Sequence, residues 1–314
     1  MASSVSPSEA GTTAKPSVSI LGIGLMGNKF ARRLASQGFP VTAWNRTPEK
    51  AQALEQASIS TAGSVKAAVS ESEILLLLLS DAEAIQTTLL QPDVLPLLAG
   101  KTVLQMGTIG PNESKAVAAA VEAAGAAYVE APVLGSQPEA EKGTLLIMVG
   151  CSPQLQPALE THPLWQVLEC LGAGKISVIG GIGTAAAVKL SLNQLIASLT
   201  VGFSTSLGLV QRSGADVGAF MGILRESALY APTFDKKLDK MLSESYANPN
   251  FPTKHLLKDV KLFKREAEAM DLNTALLSAL QSVIQDTCDR GLDNTDYSAV
   301  HDAITHPAAR QPEA

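Results

Sequence analysis

The 314-residue chain is poor in several residue types, and each scarcity narrows what it can be. Its three cysteines, Cys151, Cys170 and Cys288, are too few and too scattered for a disulfide framework or a CxxC metal site. They fit a reducing compartment, and a cytoplasmic protein is expected. The four histidines, His162, His255, His301 and His306, show no HExxH or other ligand spacing, so no metal centre is expected. No block of lysine and arginine occurs, and the net charge is −6. This argues against binding nucleic acid or an anionic membrane. Residues 1–17 lack the apolar run of a signal peptide and the arginines of a transit peptide, and read as a disordered tail. The run Ile74–Leu79 is far too short to cross a bilayer. The longer stretch Leu190–Val210 is broken by Asn193, Gln194 and several hydroxyl residues, so it reads as a buried helix.

What remains is a globular composition, 46% hydrophobic and 17% charged, long enough for two domains. In the first half, short apolar runs alternate with helical patterns. Val18–Leu21 leads into Leu25–Gln37, Val41–Trp44 into Pro48–Gln56, Ile74–Leu79 into Ala82–Leu90, and Thr102–Met106 into Asn112–Ala124. Ala127–Val129 and Leu145–Val149 complete the set. That alternation predicts an α/β domain, a doubly wound sheet with parallel strands in its core, over residues 18–180. Beyond the glycine cluster Gly180–Gly183 the pattern turns all-helical over residues 181–314: Thr184–Arg212, Val217–Ser227, Phe234–Leu242, Leu256–Met270, Leu272–Arg290 and Tyr297–Ile304. The first of these would run about 42 Å. It is apolar nearly all round and calls for covering on all sides, which a homodimer or homotetramer would supply.

Gly22-Ile23-Gly24-Leu25-Met26-Gly27 has the GxGxxG spacing directly after a strand and at the start of a helix. In that context the glycines allow a tight turn, close approach of backbone to a pyrophosphate and close helix–strand packing. At the end of the second strand an NAD site would place an acidic residue for the ribose hydroxyls. Here Trp44 is followed by Asn45, Arg46 and Thr47, with no carboxylate before Glu49. Arg46 can pair with a 2′-phosphate, and Asn45 and Thr47 can donate to it, which points to NADP(H). The competing reading makes Arg46 a solvated residue on the turn before Pro48.

Lys189 lies inside an otherwise apolar helix, with Asn193 four residues on and so on the same face. A lysine so placed is uncommon unless paired or facing a cavity. Reducing a carbonyl needs a proton for the developing alkoxide, and an ammonium serves as electrostatic stabiliser and general acid. Alternatively, Lys189 snorkels to solvent near the helix start.

Four blocks together resemble the β-hydroxyacid dehydrogenases. They are Gly22–Gly27; Ala131-Pro132-Val133-Leu134-Gly135-Ser136; Gly181-Ile182-Gly183 with Lys189 and Asn193; and Phe251 with Lys258-Asp259. They run in that family's order from Val18 to Ile304. Asn45-Arg46-Thr47, the Gly135-Ser136 pair and the stretch Gly291-Leu292-Asp293 to Tyr297-Ser298-Ala299 are most similar to its glyoxylate/succinic semialdehyde reductase branch. The resemblance implies a Rossmann domain plus a helical domain joined by a long interdomain helix. It implies NADPH-dependent reduction of a small carbonyl substrate, with Lys189 as catalytic acid beside Asn193. It further implies that Leu79, Ser80 and Thr108 line the cofactor and that Lys258 reaches it. Gly135 and Ser136 would bind a substrate carboxylate through backbone N–H groups and the Ser136 hydroxyl, and Phe251 and Asp259 would close the pocket. Lys254, Lys258 and Lys261 otherwise read as an ordinary basic helix face. Leu134 stands where the family carries serine, and Gly107 where it carries serine before the cofactor threonine. The first change removes a polar contact and favours a larger or less polar substrate. A 3-hydroxyisobutyrate dehydrogenase, an imine reductase and a non-catalytic dinucleotide-binding module are the alternatives.

Overall fold

A computed structural model describes residues 14–57 and 59–307. Of the expected tail, residues 1–13 lie outside the described residues. The chain is held before Val18, however. Ser17 donates its N–H to Glu73 Oε2 at 3.2 Å, and its Oγ accepts from the Glu73 N–H at 3.0 Å. Its carbonyl accepts from Ile74 N, which extends the strand ladder by one residue.

The strands are β1 (Val18–Leu21), β2 (Val41–Trp44), β3 (Ser60–Thr61), β4 (Ile74–Leu77), β5 (Thr102–Gln105), β6 (Ala127–Glu130), β7 (Val133–Leu134), β8 (Leu146–Cys151) and β9 (Ile176–Gly180). They form one nine-stranded sheet in the order β3-β2-β1-β4-β5-β6-β8-β7, with β9 paired to β8. From β3 to β6 every pairing is parallel. β8 runs antiparallel to β6 and β7, and β9 runs parallel to β8. The order reverses between β1 and β4, the switch point at which open α/β sheets bind ligands beyond the carboxyl ends of their strands.

Alternation along the strands sends side chains to two separate cores. Ile20, Ile74, Leu76, Leu104 and Val129 join Phe30 and Leu34 of the helix Leu25–Ser36 on one face. Leu21, Leu75, Leu77, Val103 and Tyr128 join Val117 and Val121 of the helix Pro111–Ala123 on the other. This is why β4 reads as an unbroken apolar run: it is buried on both sides.

The helix expected over Pro48–Gln56 is α-helical only over Pro48–Gln52, followed by a 3₁₀ turn at Glu55–Ala57. The short strands β3, β7 and β9 and the helices Val65–Ser70, Gln137–Lys142 and Leu164–Gly172 were not expected from sequence.

The interdomain helix spans Thr184–Arg212. By length and composition it could cross a bilayer. In this fold it is the spine of the helical domain. Ala185, Leu190, Asn193, Ala197, Thr200, Ser204 and Leu207 form its buried stripe, while Leu195, Leu199 and Leu209 are exposed. Within one chain one face is covered and the other presents leucine, so cover on that second face would have to come from outside the chain. Around the helix stand Val217–Glu226, Pro232–Leu242, Thr253–Glu268, Ala275–Thr287 and Val300–Thr305. Phe203 stacks on Phe234 with ring centroids 4.6 Å apart. Lys237 is buried, paired with Asp296 at 2.8 Å and set over the Tyr297 ring at 4.3 Å.

Candidate active site

The glycine loop joins β1 to the helix Leu25–Ser36. Gly22 has φ +107°, and a Cβ there would lie 2.5 Å from the Leu78 carbonyl oxygen. A Cβ on Gly27 would lie 2.0 Å from the Gly22 oxygen, so helix and loop touch backbone to backbone. Gly24 is different: nothing stands within 4 Å of its would-be Cβ, and no side chain caps the helix that it begins. The first-turn N–H groups of Leu25, Met26 and Gly27 are thus left for an anion, and the helix dipole favours one. This open cradle fits the pyrophosphate of a dinucleotide. Leu25 is exposed and Met26 half-buried at its rim, while Ile23 is buried.

Leu79, Ser80 and Thr108 follow the carboxyl ends of β4 and β5, beside that cradle. A Cβ on Gly107 would lie 2.9 Å from the Leu79 carbonyl oxygen, so the ends of β4 and β5 approach backbone to backbone here. Leu79 and Thr108 are half-buried. Ser80 is exposed, and its hydroxyl donates to Asp81 Oδ2 at 2.9 Å.

Asn45 does something other than expected. Its Oδ1 accepts from the Ile23 N–H at 2.9 Å, and its Nδ2 donates to the Thr47 carbonyl at 2.9 Å. The side chain ties the glycine loop to the turn after β2, using Oδ1 and one of the two Nδ2 hydrogens. Arg46 and Thr47 are exposed on that turn. Among the described residues Arg46 has neither a hydrogen bond nor an ion pair.

In the helical domain, Lys189 sits in the second turn of the interdomain helix, half-buried. Burial lowers its pKa from 10.5 to about 8; Asp259 pulls it up and Lys258 pushes it down, both less strongly. Among the described residues nothing accepts a hydrogen bond from its Nζ. Asn193, one turn on, donates to Asp259 Oδ2 at 2.6 Å, and its own Oδ1 is buried without a partner. Asp259 Oδ1 lies 3.0 Å from Lys258 Nζ, which donates to the Thr108 carbonyl at 2.6 Å. Lys189 and Asn193 thus come together with Asp259, Lys258 and Thr108. Asp259, 2% exposed, is the centre of a strut between the domains and not a free wall of the pocket. Further along the same helix, Asn112 donates to Glu266 at 2.7 Å, and Arg265 pairs with Glu113 at 2.6 Å.

Phe251 is half-buried at the start of this helix, its ring 5.8 Å from that of Tyr297 and 6.4 Å from His255. It belongs to the helical core.

The substrate loop departs from expectation. Leu134 is half-buried at the end of β7. Gly135 has φ +137°, and a Cβ there would lie 2.7 Å from Leu145 Cδ2. Both Ser136 donors, N–H at 2.8 Å and Oγ–H at 2.7 Å, go to Glu139 Oε2. Two of the three donors assigned to a substrate carboxylate, those of Ser136, therefore already hold a carboxylate of this chain. These bonds keep the Glu139 carboxyl below its usual pKa. Sequence reasoning missed Glu139, although Ser136-x-x-Glu139 has capping-box spacing. It also missed Glu130, a carboxylate closing the otherwise apolar strand β6.

Residues 17–180 match the NAD binding domain of 6-phosphogluconate dehydrogenase, and residues 183–304 match the NAD-binding domain of NADP-dependent 3-hydroxyisobutyrate dehydrogenase. Glyoxylate/succinic semialdehyde reductase 1 of Arabidopsis thaliana is 31% identical over 290 residues, 91% of this chain and 98% of its own length. The chloroplastic reductase 2 of the same plant is 27% identical over 98% of this chain and 85% of its own. The Mycobacterium tuberculosis 3-hydroxyisobutyrate dehydrogenase shares the fold, with a TM-score of 0.81, 21% identity and coverage of 93% and 99% of the two chains. Two family matches that divide the chain between them, and a relative 31% identical over 91% of it, make this protein a β-hydroxyacid dehydrogenase of the 3-hydroxyisobutyrate dehydrogenase-like type, an NAD(P)-dependent oxidoreductase acting on hydroxyl and carbonyl groups.

Proposed function

We propose that the chain is an NADP(H)-dependent reductase of a small aldehyde or 2-oxo acid, of the glyoxylate/succinic semialdehyde type, with Lys189 as its general acid. The observation that carries this reading is the unpartnered, half-buried amine of Lys189 with a pKa of about 8. An amine so tuned is a far stronger acid than an ordinary lysine yet is still mostly protonated at neutral pH.

NADPH, bound to the chain, supplies the hydride. Gly24 and the first-turn N–H groups of Leu25, Met26 and Gly27 would hold its pyrophosphate, Arg46 would pair with its 2′-phosphate, and Leu79, Ser80 and Thr108 would line it. Asn45 positions the loop that bears Arg46. Asp259 fixes the Asn193 amide, leaving Asn193 Oδ1 to orient the lysine or a substrate hydroxyl. Lys189 stabilises the oxygen as negative charge develops on it and gives up its proton there. Lys258, tied to Thr108, keeps the helical domain closed over the cleft.

The exposed leucines of the interdomain helix support a homodimer or homotetramer. The three free thiols support a reducing, cytoplasmic setting.

Leu134 and the occupied Ser136 donors favour one other reading, a substrate without a carboxylate, an imine included. A steady-state panel decides between them: glyoxylate, succinic, methylmalonate and tartronate semialdehydes and a cyclic imine, each with NADPH and NADH. Highest kcat/KM for glyoxylate or succinic semialdehyde with NADPH is the expected result. Turnover of the imine alone, or none with any carbonyl, overturns it.

A further inference from the structure

A carboxylate with no place in the reaction is buried between the sheet and the interdomain helix. Glu130, the last residue of β6, is 1% exposed. Its Oε1 accepts the N–H groups of Gly183 at 2.9 Å, Ala185 at 2.8 Å and Ala186 at 3.3 Å. Its other oxygen accepts from the Ser114 hydroxyl, which also meets the Tyr128 hydroxyl at 2.9 Å. The opposite strand makes room for it: a Cβ on Gly150 would lie 2.4 Å from Oε1.

Gly183 begins the interdomain helix and has no side chain with which to cap it. Glu130 therefore satisfies N–H groups that the helix itself leaves orphaned, and a negative charge there complements the helix dipole. The partners are more than fifty residues apart in sequence, so this is a tertiary clamp and not a local cap. It acts where position matters most, because Lys189 lies only one turn beyond Ala185.

We infer that Glu130 is a positioning residue: by pinning the first turn of the interdomain helix to the sheet that carries the cofactor, it sets the distance from the Lys189 amine to the reacting oxygen. The inference rests on the proton-donor reading of Lys189. A misplacement of about 1 Å in a reacting group lowers turnover roughly a hundredfold. Loss of the clamp must therefore lower kcat while leaving the glycine cradle, formed by other strands, able to bind cofactor.

The test compares Glu130→Ala, Glu130→Gln and Gly150→Ala with the parent. Gln keeps an oxygen for the three N–H groups and can donate its amide to the Ser114 oxygen. Gly150→Ala keeps Glu130 but sets a methyl against Oε1, the atom that accepts the three N–H groups, so the carboxylate must shift, and this variant decides the matter should Glu130→Ala fail to fold. Each chain is titrated with NADPH by fluorescence and assayed with its best carbonyl substrate in H₂O and D₂O. For Glu130→Ala and Gly150→Ala the expected result is kcat at least tenfold lower, NADPH Kd within threefold of the parent, and a larger solvent isotope effect on kcat. Glu130→Gln should recover most of the turnover. Turnover within threefold of the parent, or NADPH affinity falling in step with kcat, overturns the inference. Lys189→Met, run alongside, separates the two claims. If it stays active, the proton-donor reading itself fails. If it is dead while Gly150→Ala is unaffected, only the role of Glu130 fails.

Discussion

The lowered pKa of Lys189 makes a linked prediction about stability and rate. In the unfolded chain the amine titrates near 10.5, whereas in the folded chain it titrates near 8. Below pH 8 both states carry the proton, and the folded state bears the full penalty of a poorly solvated ammonium. The gap amounts to roughly 3 kcal/mol, at about 1.4 kcal/mol for each tenfold change in acidity. Between pH 8 and 10.5 the unfolded chain holds more protons than the folded one, so stability rises with pH and the penalty fades. Replacing the amine by an apolar chain of similar length removes the penalty at its source. Lys189→Met should therefore be more stable than the parent at pH 7 by up to about 3 kcal/mol, and no more stable than the parent near pH 10.5. Urea denaturation of the cofactor-free chains at the two pH values measures both differences. The same group governs rate. In the parent, kcat should fall above an apparent pKa near 8, and Lys189→Arg, charged throughout, should lose that limb along with most of its activity. A Met variant less stable than the parent at pH 7, or a parent kcat flat from pH 7 to 10, would refute the reasoning.

Two further predictions concern the cofactor. Arg46→Ala should weaken NADPH binding by about 10- to 100-fold, the worth of a charge-assisted pair, and leave NADH binding unchanged in a fluorescence titration. Equal losses for both would show that Arg46 does not read the 2′-phosphate. Gly24→Ala and Gly27→Ala should separate binding from folding. The first adds a methyl to open space in the cradle and should abolish NADPH binding with little change in melting temperature. The second drives a Cβ into the Gly22 carbonyl and should lower the melting temperature as well. Similar melting temperatures for the two variants would contradict the described contacts.

The parts of the fold with a local signature were legible in the sequence. β1, the glycine loop and the helix after it were expected within a residue of where they lie, because strand, turn and helix each have their own spacing. The interdomain helix was expected over Thr184–Arg212, its observed span, since the glycines before it and Ser213-Gly214 after it mark its ends. β7 is two residues long, too short for a pattern to reveal it, whereas β9 carries Ile176, Val178 and Ile179, a strand-like run that sequence reasoning passed over beside the glycine cluster. At the site, residue identity pointed to Lys189, Asn193 and Arg46, but not to what each touches. Asn45 had the right chemistry to donate to a phosphate and is engaged by Ile23 and Thr47, a fact of loop geometry. The capping-box spacing around Ser136 was readable, and taking it seriously would have shown that the serine was committed to Glu139. Glu130 closes an otherwise apolar strand, but its partners Gly183, Ala185 and Ala186 lie more than fifty residues on, so no local spacing reveals them.

One helix serving both domains has a mechanical consequence. It is anchored at Gly183 and extends about 42 Å from Thr184 to Arg212, whereas Lys189 stands only about 8 Å from the anchored end. A 5° swing about that anchor would carry the far end through roughly 4 Å but the lysine Cα through less than about 1 Å. The amine rides close to the fulcrum of a long lever, so any given swing displaces it by only about a fifth of the distance travelled by the outer end.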